Sequence, residues 1–167
     1  MKYRLTDETK ECFGRTLHRI VCVTAFANVA AGELGGWIEN EKNLDQCGDA
    51  WVYGNAWVYG NANVFGNAWV YGNARVCGNA KVCDNAWVYG DAKVYGDADY
   101  IVLKNNWSSG RYFTYTLSNK MWKVGCFFGT GEELIKKAYA DSELSGRCYE
   151  ASVKYVEELV RIKEGLK

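Results

Sequence analysis

Few residues in this chain of 167 carry reactive chemistry, and their spacing does not assemble them into a recognisable catalytic set. The single histidine, His18, has no second histidine to complete a zinc triad, and a lone histidine is more often structural or solvated than a ligand. Cysteines stand at 12, 22, 47, 77, 83, 126 and 148. Their number is odd and no Cys-x-x-Cys or Cys/His spacing of zinc type occurs, so free thiols and a cytoplasmic location are expected. Asn and Asp recur directly after Gly, where backbone geometry explains them, and no acid–base pair of carboxylates is indicated. What remains in quantity is aromatic: seven Trp and twelve Tyr, the residues enriched at binding hot spots.

The bulk charge agrees with a binding role of limited electrostatic reach. Lys plus Arg equals Asp plus Glu, so no overall field draws in DNA or an anionic membrane. Residues 20–31 resemble the apolar region of a signal peptide, but Asp7, Glu8 and Glu11 spoil a positive leader, and the run reads equally well as a strand. No apolar segment is long enough to span a membrane.

The elements that position the aromatics are legible as a repeat. From Gly48 the sequence runs Gly-Asp-Ala-Trp-Val-Tyr, Gly-Asn-Ala-Trp-Val-Tyr, Gly-Asn-Ala-Asn-Val-Phe, and continues through Gly72, Gly78, Asp84 and Gly90 to Gly96 without insertion. Nine hexads result, the last broken at Asp99 and Tyr100. Ala and Val lie two apart and share one face of an extended segment, and the residues flanking Val point the other way. Gly followed by Asn or Asp is a corner, because these residues tolerate positive φ. A short strand, a corner and a small inward pair, repeated, predict a coil with a narrow, tightly packed interior.

This pattern resembles the hexapeptide-repeat left-handed parallel β-helix superfamily, and within it the Gly-Asn-Ala-x-Val-x repeat proteins of bacterial genomes and prophages. The likeness is specific over 48–98. It extends loosely to Gly35-Gly36-Trp37-Ile38 and Asn43-Leu44 upstream, and to Gly125-Cys126-Phe127 and Gly129-Thr130 downstream. One departure is that an aromatic residue stands between Val and the next Gly. The resemblance implies three hexads per turn, hence about three regular 18-residue coils in a mainly β fold. The expected organisation is an N-terminal β cap with a degenerate coil over 1–47, the β-helix over 48–101, and strands with two helices, a ββ-αα module, over 102–167. Ile38 and Leu44 are expected in phase with Ala50, and 16–23 as a strand of the cap. Tyr100–Leu103, Tyr112–Leu117 and Met121–Phe127 read as strands. Thr130 and Glu133 form a capping box for one helix, and Ser145 caps a second bearing the stripe Tyr149, Val153, Val156 and Val160.

At 18 residues per turn Trp51, Trp69 and Trp87 form one outward column, with Tyr53, Tyr71 and Tyr89 beside it. Strands in neighbouring coils lie about 4.8 Å apart, so the rings are expected to stack as ladders. Six half-exposed rings make a patch of roughly 500 Å² or more, which is large for a monomer. A second face carries Trp57, Arg75 and Lys93 beside Tyr59, Cys77 and Tyr95, with Arg75 positioned for a cation–π contact on Trp57. The third carries Asn63, Lys81 and Asp99 beside Phe65, Cys83 and Ile101. Cys77 and Cys83 therefore sit on different faces and read as packing residues.

Relatives of this fold include acyltransferases, which use a histidine base beside a coenzyme-bound donor, and carbonic anhydrases, which bind zinc through three histidines. His18 lies outside the coils and supplies neither set. The coils hold none of the threonine of ice-binding helices, and the Trp/Tyr face lacks the basic track that single-stranded nucleic acid requires. No cofactor and no metal are expected. The function expected is a non-catalytic protein-binding scaffold with Trp51, Trp69, Trp87, Tyr53, Tyr71 and Tyr89 as its partner site. What the resemblance implies more concretely is a phage or mobile-element inhibitor that blocks a host defence protein such as a CRISPR effector. The alternatives are a homo-oligomeric structural protein and a degenerate acyltransferase-like binder of a small ligand.

Overall fold

The computed structural model describes residues 1–166, which divide into two compact units meeting at Tyr100 and Ile101. The first unit opens with β1 (Tyr3–Cys12), β2 (Arg15–Cys22) and β3 (Leu34–Ile38). Eight two-residue strands follow: β4 (Trp51–Val52), β5 (Trp57–Val58), β6 (Asn63–Val64), β7 (Trp69–Val70), β8 (Arg75–Val76), β9 (Lys81–Val82), β10 (Trp87–Val88) and β11 (Lys93–Val94). Each of the first five pairs in parallel with the strand three positions on, Trp51 with Trp69 and Trp69 with Trp87, so one turn takes eighteen residues. The result is a β-solenoid of about three turns. Every Ala from Ala50 to Ala92 and every Val from Val52 to Val94 on the repeat is fully buried. The corners impose the glycines. At Gly48 φ is +67° and an added Cβ would stand 2.6 Å from the Gly66 carbonyl oxygen, so neither the backbone nor the neighbouring coil leaves room for a side chain.

Parallel coils have a direction. The amides of each coil donate to carbonyls of the next, as Trp51 N–H does to Ala68 O at 3.0 Å and Tyr53 N–H to Val70 O at 2.9 Å. The carbonyls at the Ala, Val and Gly positions of the first coil face the N-terminal end and need donors from elsewhere. Residues 1–47 provide them. Trp37 N–H donates to Ala56 O at 2.9 Å, Glu39 N–H to Val58 O at 3.1 Å and Asp45 N–H to Val64 O at 2.9 Å. The fully buried Asn43 donates from Nδ2 to Gly60 O at 3.2 Å and Ala62 O at 2.7 Å. The buried Lys2 ammonium reaches Ala50 O at 2.8 Å, with Gly48 O and Cys47 O at 3.3 and 3.4 Å. Burial lowers its pKa, against the raising effect of the Asp45 and Asp49 carboxylates.

The degenerate coil is present, but its phase differs from the expected one. Ile38 pairs with Val58 and Leu44 with Val64, so both occupy Val positions, two residues out of step with Ala50. The excess is taken up between Leu44 and Val52, a segment that makes room for the Asp45 and Lys2 contacts. Strand β2 matches the expectation within a residue. The edge strand β1 had no sequence signal, because among its ten residues only Tyr3 and Cys12 are buried. It folds back through Phe13 and Gly14, both at positive φ, in the manner of a primed hairpin turn. The hairpin extends one solenoid sheet, giving the order β1-β2-β3-β5-β8-β11.

The second unit continues β12 (Tyr100–Lys104) into β13 (Tyr112–Thr116), β14 (Met121–Val124) and β15 (Phe127–Gly129), then α1 (Gly131–Asp141) and α2 (Glu143–Gly165). The run expected as one strand over 121–127 divides at Gly125, whose φ of +53° turns the chain into an antiparallel hairpin. Gly125 to Gly129 is thus part of a sheet and not a remnant of the repeat. Thr130 and Glu133 form the expected capping box on α1. The second helix is capped by Ser142, which accepts from Ser145 N–H at 3.1 Å, three residues earlier than expected. Tyr149, Val153 and Val156 are buried against Phe113, Tyr115, Trp122 and Leu134, with Val160 at the margin.

Two outcomes follow for the cap. Asn43→Ala leaves two buried carbonyls without donors and should lower stability by about 2–4 kcal/mol in chemical denaturation. Glu39 accepts from Gly60 N–H at 2.6 Å and pairs with Arg15 at 2.7 Å. Burial acts to raise its carboxyl, but those two partners outweigh it and hold the group below the ordinary glutamate range. Because the folded state holds that proton less tightly than the unfolded chain, the gain exists above the ordinary pKa and is lost as pH falls through the folded value. Denaturation midpoints of Glu39→Gln should therefore depend less on acid than those of the parent in that window.

Candidate docking surface on the coils

Three coils place Trp51, Trp69 and Trp87 in one register column, as expected from the repeat. Exposure along that column is graded. Trp51 is fully buried, a correction to its place in an exposed partner site. Its indole lies under Tyr3 at 6.2 Å and Phe26 at 5.5 Å, both edge-on, and Phe26 in turn carries the Lys2 ammonium at 5.0 Å. Trp69 is half-buried, Trp87 is 36% exposed and Tyr53 43%. Tyr71 and Tyr89 are half-buried.

The rings do not stack face to face. Tyr71 and Tyr89 meet at 4.4 Å with planes tilted by 49°, and Trp87 approaches Tyr71 edge-on at 6.4 Å. The backbone spacing sets the column, but the rings tilt to place positive edges on negative faces. The accessible part is thus a corrugated surface of five side chains, Tyr53, Trp69, Tyr71, Trp87 and Tyr89, and not a flat ladder of six.

The second face is partly covered by the protein's own hairpin. Arg75 lies over Trp57 at 4.5 Å, as expected. Lys10 of β1 is inserted between Trp37 and Trp57, at 4.3 and 5.3 Å from their ring centres, and Arg19 of β2 lies over Trp37 at 5.3 Å. Cations and indoles so alternate from Arg19 to Arg75. Lys10, Arg19 and Trp37 escaped the sequence reading because the contact joins strands far apart in the chain and no repeat marks it. The indole nitrogens of Trp37, Trp51 and Trp57 are buried without a hydrogen-bond acceptor. Tyr59 packs with Cys12, Leu17 and Trp37, and its phenol is pushed up by burial. Tyr95, 57% exposed, and Lys93 are the solvent-exposed side chains of this face.

The thiols differ in setting: Cys47 and Cys126 are exposed. Cys12 and Cys77 are buried, and burial raises the thiol pKa of Cys12; Cys83 is raised likewise, with Asp84 adding to it. His18 is half-buried, with Nδ1 3.4 Å from Thr6 O. Among the described residues no three of His, Cys, Asp and Glu come together to hold a metal ion, and no helix is long and apolar enough to cross a membrane. No protein-family model matches the chain, and no curated protein matches it in sequence.

Opposite ends of the Trp column should respond differently to truncation. Trp51→Ala removes a core side chain and should cost about 3–5 kcal/mol. Trp87→Ala should remain within about 1 kcal/mol of the parent, as surface substitutions do. Equal losses in thermal or chemical denaturation would contradict the graded burial.

Proposed function

We propose that the chain is a non-catalytic scaffold that docks a protein partner on the aromatic face formed by Tyr53, Trp69, Tyr71, Trp87 and Tyr89. The observation that carries this reading is the exposure of Trp87 and Tyr53 on a sheet whose backbone is held by a continuous parallel ladder. Trp and Tyr lose little conformational entropy on binding and offer large contact areas, so a rigid array of them favours tight association. With a formal net charge of zero, attraction comes from apolar contact, and binding should respond weakly to salt. Lys93 and Tyr95 stand on the neighbouring face as a polar rim. No cofactor, metal or catalytic step enters this reading.

The eighteen-residue turn, the Ala/Val interior and the glycine corners support membership of the hexapeptide-repeat left-handed β-helix superfamily. The seven free thiols support a reducing, cytoplasmic setting. On that resemblance the partner is a host protein, and the concrete form is an inhibitor borne by a phage or other mobile element that blocks a defence protein such as a CRISPR effector.

The test is affinity capture from host lysate with the tagged parent, a Trp87→Arg bait and a Tyr53→Arg bait, each checked for folding by circular dichroism. A host protein recovered by the parent and lost at least tenfold with both variants supports the reading. A partner retained by both removes the aromatic face as its site. Recovery of only untagged copies of the chain, with a matching mass in analytical ultracentrifugation, makes the face a self-interface and the protein a homo-oligomer.

A further inference from the structure

The second unit contains a cavity of about 220 Å³ that the docking face does not use. Its apolar wall is Val124, Phe127, Leu134 and Ala138. At its polar end stand Asn105, 3% exposed, and Tyr149, 7% exposed. The Asn105 side chain is fully engaged. Its Nδ2 donates to Tyr149 Oη at 3.1 Å and Ser108 Oγ at 3.0 Å, and its Oδ1 accepts from Ser108 N–H at 2.9 Å. Tyr149 is thereby oriented as an acceptor of that bond, and its own hydroxyl proton finds no acceptor among the described residues. A buried donor left in this state costs about 1–3 kcal/mol unless something in the cavity takes it up.

Two cations line the same cavity. Arg111 and Lys137 make no ion pair among the described residues, although Asp141 lies one helical turn beyond Lys137. The Arg111 guanidinium rests against Gly125, where any Cβ would collide with Nη1. With two positive groups and one carboxylate, the lining is matched to a single net negative charge. The volume corresponds to roughly seven water molecules at about 30 Å³ each, well below that of a nucleotide or coenzyme pocket.

We propose that this cavity binds a small monocarboxylate with an apolar body. The carboxylate accepts from Arg111, Lys137 and the Tyr149 hydroxyl, and the body lies on Val124, Phe127, Leu134 and Ala138. A bare phosphate leaves the apolar wall unused and brings a second charge that the lining does not match. This site is independent of the docking face and stands or falls separately from it.

The experiment is a nuclear magnetic resonance titration of the full chain with hexanoate and with phenylacetate, beside phenylacetamide and inorganic phosphate. Its reporters are the Asn105 side-chain amide and the indole N–H of Trp107, whose ring packs edge-on against Tyr149 at 5.0 Å. Saturable shifts with either carboxylate, absent with the amide and weaker with phosphate, are expected. Arg111→Gln, a change to an exposed side chain, and Tyr149→Phe should each weaken binding about tenfold, and Trp87→Arg should leave it unchanged. No saturable shift from either carboxylate, an equal response to the amide or to phosphate, or full affinity in Arg111→Gln overturns the proposal.

Discussion

Parallel coils stacked through backbone hydrogen bonds leave a row of carbonyls at one end that no further coil satisfies, and the first unit is organised around that row. Three amides, one buried asparagine and one buried ammonium meet it. Each carbonyl so paired avoids a desolvation cost comparable to the net worth of several ordinary hydrogen bonds. The contributions come from Lys2, Trp37, Glu39, Asn43 and Asp45, which explains why residues 1–47 fold with the coils instead of beside them.

The cap has a second consequence on the outer surface. Tyr3 and Phe26 arrive with Lys2 and close over Trp51, and the hairpin places Lys10 against Trp37 and Trp57. Coverage of the coils is therefore heaviest at the first turn. The Trp column opens progressively through Trp69 to Trp87, whereas in the Tyr column it is Tyr53, on the first turn, that is most exposed. A repeat that is uniform in sequence becomes non-uniform in exposure, and the docking reading rests on Tyr53 together with the later Trp positions.

The second unit follows a different logic. Its antiparallel strands and paired helices bury a mixed aromatic and aliphatic core, and the engaged Asn105–Tyr149 pair sits at the edge of that core. One buried hydroxyl and two cations line a single cavity in this unit, a mixed lining that the Ala/Val interior of the coils cannot offer.

The coils were legible in the sequence because each of their residues answers to a local rule. Small residues two apart fill a narrow interior, positive φ favours glycine at the corners, and an unbroken period keeps every column in register. The cation–π contact of Arg75 on Trp57 followed from that period alone, and the capping box at Thr130 from its own Thr-x-x-Glu spacing. Strand β1, the burial of Trp51, the insertion of Lys10 and the tilt of the rings were not legible, because each arises from contacts between segments with no shared period. The turn at Gly125 and the cap at Ser142 lay between competing local signals, which packing against the sheet and the helix pair resolved. Sequence determined the path of the backbone wherever the repeat held. Tertiary structure alone decided which of the outward side chains meet solvent, since that depends on how distant strands close over them.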